Sequence, residues 1–148
     1  MIFRELCMEF IFLFSRFEYA LKENGFLRSG KYKNAEPSWK KFVEEYDSTY
    51  SPSAEARELI NNPPERQVVR DGSCQWEKID LANFSSDLNK VVFILKTIRS
   101  HLFHGGKNSH PDWDNSEKAA FLIRNAISVL GNLAGLSDLE RDYWRNYY

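Results

Sequence analysis

Residues 84–107, FSSDLNKVVFILKTIRSHLFHGGK, decide the fold because they carry an unbroken helical pattern. Their apolar side chains recur at steps of three and four residues, which places them on one face of an α-helix. This stripe consists of Phe84, Leu88, Val91, Leu95, Ile98 and Leu102. Gly105 can adopt the left-handed backbone conformation that ends a helix. The stretch therefore predicts a long helix from about Ser85 to the histidine before Gly105.

Two further long helices are predicted on either side of this stretch. The first runs from Phe3 to about Asn24, before Gly25, and it is apolar over more than one face, so we expect it to pack on two sides. The other follows a loop over residues 105–113. It begins at Asp114, which forms a capping-box pattern with a glutamate three positions later, and it ends at Gly135.

The remaining segments predict shorter elements. Residues 25–35 are polar and indicate a loop, after which Pro37 suits the first turn of a second helix that carries aromatic residues up to Tyr50. Ser53 can cap a short helix that ends before the two prolines at 63 and 64. Ser137 can cap a short terminal helix with Tyr143, Trp144 and Tyr147.

One segment changes from helical to strand character. Residues 67–70 and 73–79 flank the turn pair Asp71-Gly72, which favours a two-residue hairpin turn, with Val69, Cys74 and Trp76 as inward positions. The predicted fold is all-α: one domain over residues 1–148, a bundle of four main helices plus short helices, with a small β-hairpin inserted near residues 67–79.

Composition restricts the function classes. The 148 residues carry 20 basic and 21 acidic side chains and a net charge of -1, so any site for a polyanion must be local. Charged residues interrupt the apolar N-terminal stretch, and we identify no membrane span or signal peptide there. The two cysteines form no disulfide framework. These features predict a cytoplasmic protein.

The chemistry-bearing residues lie at the end of the 84–107 helix. Arg99 and His104 are five positions apart, so in an unbroken helix they point about 140° apart. One extended helix therefore makes a poor site. Helix termination at Gly105 would let the His104 ring swing towards Arg99, and a twofold partner would bring a second copy of both side chains.

This residue pair suits the cleavage of RNA phosphodiesters. A histidine with a pKa near 6.5 takes a proton from a 2′-hydroxyl or gives one to a leaving 5′-oxygen, and an arginine matches the charge of the phosphoryl group. We therefore assign catalytic roles to Arg99 and His104, with no metal and no cofactor. Ser100, His101 and Lys107 are candidate substrate contacts, and His101 is also a candidate second proton carrier.

The string from Ile98 to Lys107, with Arg99-x-x-x-x-His104 at its centre, resembles the R-x4-6-H motif of the HEPN superfamily (higher eukaryotes and prokaryotes nucleotide-binding). The segment 17–22, FEYALK, is also similar to the first helix of such domains. The resemblance covers the helical context of the motif and not only the two residues. One position differs: Ser100 stands where active members often have Asn, Asp or His.

The resemblance implies an all-α bundle, usually dimeric, with the two motifs facing each other across the interface. It implies metal-independent cleavage of RNA to a 2′,3′-cyclic phosphate and a 5′-hydroxyl. Many members are toxins held by an antitoxin or effectors of defence against phage, whereas others have lost the motif and serve as binding or scaffold domains.

Several alternatives remain open at this point. Arg99 can be a solvated helix residue, His104 a histidine stabilised by the helix dipole, and His101 a local polar residue. A zinc site from the three histidines with Cys74 or Asp112 lacks paired-cysteine spacing. The main alternative to an endoribonuclease is a non-catalytic HEPN-like module that binds a partner protein or nucleotide, with its aromatic C-terminal helix as the contact surface.

Overall fold

The computed structural model describes residues 2–104 and 116–145 and is mainly helical, at 63%. Its six α-helices within those ranges are α1 (Phe3–Glu23), α2 (Trp39–Tyr46), α3 (Ala54–Asn61), α4 (Asp87–His104), α5 (Ser116–Leu136) and α6 (Glu140–Trp144). Two antiparallel hairpins pair β1 (Leu27–Ser29) with β2 (Ala35–Pro37) and β3 (Arg66–Arg70) with β4 (Ser73–Glu77). The predicted predominance of helices is confirmed, but the fold is not purely all-α, since it has two small two-stranded hairpins.

The core lies where α1 packs against α5 and α6, and where α3 packs against α4 and α5. The apolar stripe of α1 is buried as predicted, including Phe10, Phe17 and Leu21. The second apolar face predicted for α1 is partly buried, since Ile11 packs against the core whereas Phe12 is exposed.

Helix α4 confirms the pattern in residues 84–107. Leu88, Val91, Leu95 and Ile98 are at most 1% exposed, because the three-and-four spacing turns them all to the core. The Oγ atom of Ser86 accepts a hydrogen bond from the backbone N–H of Asn89 at 3.1 Å and so caps the first turn. The helix continues through His104. The predicted stop at Gly105 lies outside the described residues.

Helix α5 extends past Gly135 to Leu136, while its predicted capping residue Asp114 lies outside the described part of the chain. Ser137 does not cap α6: its hydroxyl donates to the carbonyl oxygens of Leu133 and Ala134, the last turn of α5. Residues Glu117–Leu136 are long and apolar enough to cross a membrane. Half of this window is buried inside the protein. Core helices of soluble proteins have the same length and composition, so this feature is weak evidence for a membrane span.

The region predicted as a loop over residues 25–35 contains the β1–β2 hairpin instead. Pro37 pairs with Leu27 at the end of β2, so it is not part of a helix. The helix begins at Trp39, where the Ser38 Oγ atom accepts from the N–H of Lys41 at 3.2 Å. It ends at Tyr46, before the predicted end at Tyr50.

The β3–β4 hairpin is confirmed with the predicted turn. Asp71 and Gly72 have φ angles of 51° and 78°, the left-handed pair that a tight hairpin turn requires. The prediction of inward positions is wrong for Val69 and Cys74, which pair with each other but are exposed. Trp76 alone packs partly against the core, since only the base of the hairpin reaches it.

Candidate functional site at the end of α4

Arg99 lies on α4 beside a groove of about 310 Å³, which we call the Arg99 groove. Its guanidinium carbon lies 4.3 Å from the ring centre of Phe103, one turn further along the helix. This distance is that of a cation–π contact, and it holds the arginine against the helix surface. The groove is lined by Phe14, Glu18, Arg28, Glu36, Pro37, Trp39, Lys96 and Arg99.

The walls of the Arg99 groove are fixed by neighbouring contacts. Glu18 on α1 accepts a hydrogen bond from the Trp39 indole N–H at 2.8 Å, and the Trp39 ring stacks on Phe17 at 4.9 Å. Arg28 pairs with Glu36 at 3.1 Å across the β1–β2 hairpin. The groove therefore combines basic side chains with two carboxylates that already have partners.

His104 is exposed at the last described position of α4 and lines a different groove of about 500 Å³, the His104 groove. Ser100 and His101, two of the predicted substrate contacts, line this groove as well. Its other lining residues are Arg66, Gln67, Phe93, Lys96 and Thr97. The structure thus brings three of the predicted site residues, Ser100, His101 and His104, to one groove.

The two predicted catalytic residues do not converge within one chain. Arg99 lines one groove and His104 the other, as the angular separation of about 140° on a helix predicts. Because α4 stays helical through His104, the swing of its ring towards Arg99 does not occur in this structure. Phe103, which is 58% exposed, contacts Arg99 from the next turn of the helix.

His101 has a structural environment that the sequence did not predict. It is only 5% exposed, its Nε2 atom lies 2.5 Å from the carbonyl oxygen of Glu65, and its ring meets the edge of Trp76 at 5.1 Å. Since a carbonyl oxygen can only accept, Nε2 is the protonated nitrogen. His101 thereby joins α4 to the start of the β3–β4 hairpin, and this nitrogen is engaged with the backbone.

Sequence reasoning missed the basic residues that surround the motif. Lys96 lines both grooves, and its position one turn before Arg99 on α4 is a signal that helical spacing could have supplied. Arg28 and Arg66 reach the grooves from the two hairpins. No local spacing relates either of them to α4, so only the fold reveals them.

Several predicted residues lie outside the described part of the chain, namely Lys107, His110, Asp112 and Tyr147. Within residues 2–104 and 116–145, no group of three or more His, Cys, Asp or Glu side chains is arranged to hold a metal ion. Tyr143, predicted as a partner contact, is fully buried and meets Phe17 edge to face. The aromatic surface assigned to the C-terminal helix is therefore wrong for this residue.

A groove of about 670 Å³, larger than either groove at α4, lies between the end of α3 and the start of α5. None of the residues 99–104 lines it. The candidate site lies at the end of α4 because the arginine and histidine side chains that suit phosphodiester cleavage are there.

No protein-family model, curated protein or solved structure matches this chain. The likeness to the HEPN superfamily is therefore carried by the motif and its helical context alone.

Proposed function

We propose that the protein is a metal-independent endoribonuclease of HEPN type that acts as a homodimer. His104 transfers the proton and Arg99 stabilises the charge of the phosphoryl group in the transition state. By the same resemblance, a role as a toxin or an effector of anti-phage defence is the biological setting that fits best.

The observation that carries this proposal is the separation of Arg99 from His104, which line two different grooves on α4. Both side chains reach solvent at the same end of the helix, with exposed Phe103 between them in sequence. A twofold axis near this end would place the Arg99 of one chain against the His104 of the other. An exposed aromatic ring beside the site suits burial in such an interface.

The reaction needs only groups that this chain supplies. Neutral His104 removes the proton of the 2′-hydroxyl, whose oxygen attacks the adjacent phosphorus while the bond to the 5′-oxygen breaks. The leaving 5′-oxygen takes up the proton that His104 has accepted, which gives a 2′,3′-cyclic phosphate and a 5′-hydroxyl and returns His104 to its neutral form. Arg99 donates hydrogen bonds to the phosphoryl oxygens, on which negative charge accumulates.

Incubation of the purified protein with single-stranded RNA in EDTA tests the proposal. We expect the wild-type protein to cleave RNA and to leave cyclic phosphate ends. His104→Ala should slow cleavage by about 10²–10⁴-fold, the usual contribution of a positioned acid or base. Arg99→Ala should slow it by about 10²–10³-fold, as loss of a transition-state donor does. Denaturing gels and end-group analysis measure both effects.

Arg124→Ala is the matched control, because Arg124 is an exposed arginine on α5 and lines neither groove. It should cleave at the wild-type rate. Equal cleavage by His104→Ala, or no cleavage by wild-type protein at any concentration, would contradict the endoribonuclease. The second outcome would favour the alternative of a non-catalytic helical module that binds a protein or a nucleotide.

A further inference from the structure

The tip of the β1–β2 hairpin presents an aromatic side chain to solvent between two lysines. Tyr32 is 85% exposed, the highest value among the large apolar and aromatic residues of the described chain, and Lys31 and Lys33 flank it. The Lys31 ammonium lies 5.3 Å from the centre of the Tyr32 ring. A ring this exposed gains nothing from burial within the described chain, and its free face is open to a ligand.

The backbone of this tip is held in an unusual conformation. Tyr32 and Lys33 have φ angles of 58° and 62°, in the left-handed region that side chains other than glycine, asparagine and aspartate rarely adopt. The N–H of Gly30 donates to the Asn34 carbonyl at 2.7 Å, and the N–H of Lys33 donates to the Gly30 carbonyl at 3.2 Å. The turn is therefore specified, and strain of this kind clusters at functional sites.

The tip is also a local positive patch on a chain whose net charge is -1. The hairpin segment 27–37 carries three basic side chains, Arg28, Lys31 and Lys33, against the single carboxylate of Glu36. Its net charge is thus +2. Phosphate groups are the ligands that such a patch attracts, and the attraction falls as salt screens it.

The hairpin is continuous with the candidate site, since Arg28 and Glu36 also line the Arg99 groove. We infer that the tip binds single-stranded RNA: one base stacks on Tyr32, Lys31 and Lys33 contact the flanking phosphates, and the strand continues into the Arg99 groove. Aromatic rings between basic residues bind single strands in this way without reading their sequence. This inference names the substrate contact of the proposed function and rests on it.

Binding measured without cleavage tests the inference. In the His104→Ala background, fluorescence anisotropy reports the Kd for a short fluorescein-labelled single-stranded RNA of mixed sequence. Tyr32→Asn removes the ring but retains a residue that tolerates the left-handed conformation. We expect it to weaken binding about tenfold, the loss typical of one stacked base, whereas Tyr32→Phe should stay within about twofold of the parent. The tenfold difference should shrink little with added salt, because stacking is not a charge interaction.

The control is Val69→Asn, which makes the same kind of change at an exposed apolar residue of the other hairpin. It should leave the Kd unchanged. An unchanged Kd for Tyr32→Asn overturns the inference. So does loss of binding to phosphatidylserine vesicles by Tyr32→Asn with RNA binding intact, since that result assigns the tip to an anionic membrane.

Cleavage assays separate this inference from the proposed function. If wild-type protein cleaves RNA and Tyr32→Asn cleaves subsaturating RNA at the wild-type rate, the endoribonuclease stands and the role of the tip is refuted. If wild-type protein never cleaves RNA but Tyr32→Asn weakens binding, the tip is an RNA contact and the endoribonuclease is refuted. If both hold, kcat/KM should fall about tenfold in Tyr32→Asn with little change in kcat.

Discussion

Two histidines three positions apart on α4 occupy opposite environments. His101 is 5% exposed and donates to the Glu65 carbonyl, whereas His104 is exposed at the end of the described helix. The hydrogen bond and the Trp76 contact make His101 part of the joint between α4 and the β3–β4 hairpin. At the residue scale, the motif therefore combines one structural histidine with one accessible to solvent.

This difference predicts that replacing His101 lowers the stability of the protein much more than replacing His104 does. His101→Ala should lower the free energy of unfolding by about 2 kcal/mol, because it removes the hydrogen bond from His101 to the Glu65 carbonyl and opens space beside Trp76. His104→Ala should change it by no more than about 0.5 kcal/mol, as exposed positions usually do. Urea unfolding followed by tryptophan fluorescence measures both. Equal destabilisation by the two variants would contradict these assignments.

The geometry of the Arg99–His104 pair could be predicted from sequence, because the angle between two helix positions depends only on their spacing. The burial of His101 could not. Its partner Glu65 lies 36 positions away, before a hairpin whose placement no periodicity determines. Lys96 lies between these two cases. Its position on the same side of α4 as Arg99 could be predicted from helical spacing, but the hairpins that complete the two grooves could not.

At the scale of elements, long helices were predicted better than short strands, because a longer sequence pattern leaves fewer possible structures. Helix α4 was predicted closely because a stripe over 18 residues leaves one consistent face. Strands β1 and β2 were missed because three residues give no alternation to detect, and because Tyr32 and Lys33 make their turn without the expected glycine. For β3–β4, the Asp71-Gly72 pair was sufficient to predict the hairpin. It was not sufficient to predict which side chains are buried, because only the base of the hairpin contacts the core.

Tyr50, which follows α2, is half-buried with a buried hydroxyl, and it gives a second test at this scale. Burial, together with the negative charge of Asp87, raises the pKa of Tyr50 from its ordinary value of 10.0 to about 12. Its hydroxyl has no hydrogen-bond partner among the described residues. The folded state thus favours the neutral phenol, while the unfolded chain ionises near pH 10.

The sign of the resulting pH dependence follows from this shift. The stabilisation linked to protonated Tyr50 is complete below pH 10 and is lost as the pH rises from 10 towards 12, where the unfolded chain has released the proton. Tyr50→Phe should lack this loss. At pH 7 it should also raise the free energy of unfolding by about 1 kcal/mol, since a buried hydroxyl without a partner is removed.

Urea unfolding at pH 7, 9 and 11 measures the effect. Tyr46→Phe, on the preceding turn of the chain, leaves Tyr50 in place and should retain the wild-type fall in stability between pH 9 and pH 11. A Tyr50→Phe variant that loses as much stability as the wild-type protein over this interval would show that Tyr50 ionises in the folded state as it does in the unfolded chain.

At the scale of the whole molecule, the chain leaves apolar side chains exposed near and away from the candidate site. Phe103 lies beside Arg99, and Met8 and Phe12 are exposed on α1. A single chain also keeps Arg99 and His104 in separate grooves. Both features have one explanation in the proposed homodimer, because a second chain would cover apolar surface and supply the missing member of each catalytic pair.

A mixture of two inactive variants tests this arrangement directly. If each site combines Arg99 of one chain with His104 of the other, a heterodimer of Arg99→Ala and His104→Ala keeps one intact site. Random exchange of subunits gives about half heterodimers, so the mixture should recover about a quarter of wild-type cleavage. A mixture of Arg99→Ala with the double variant Arg99→Ala/His104→Ala is the control, and it should stay inactive because no chain supplies Arg99. Active wild-type protein with no recovery in the first mixture, after subunit exchange has been verified by native mass spectrometry, would place both catalytic residues in one chain.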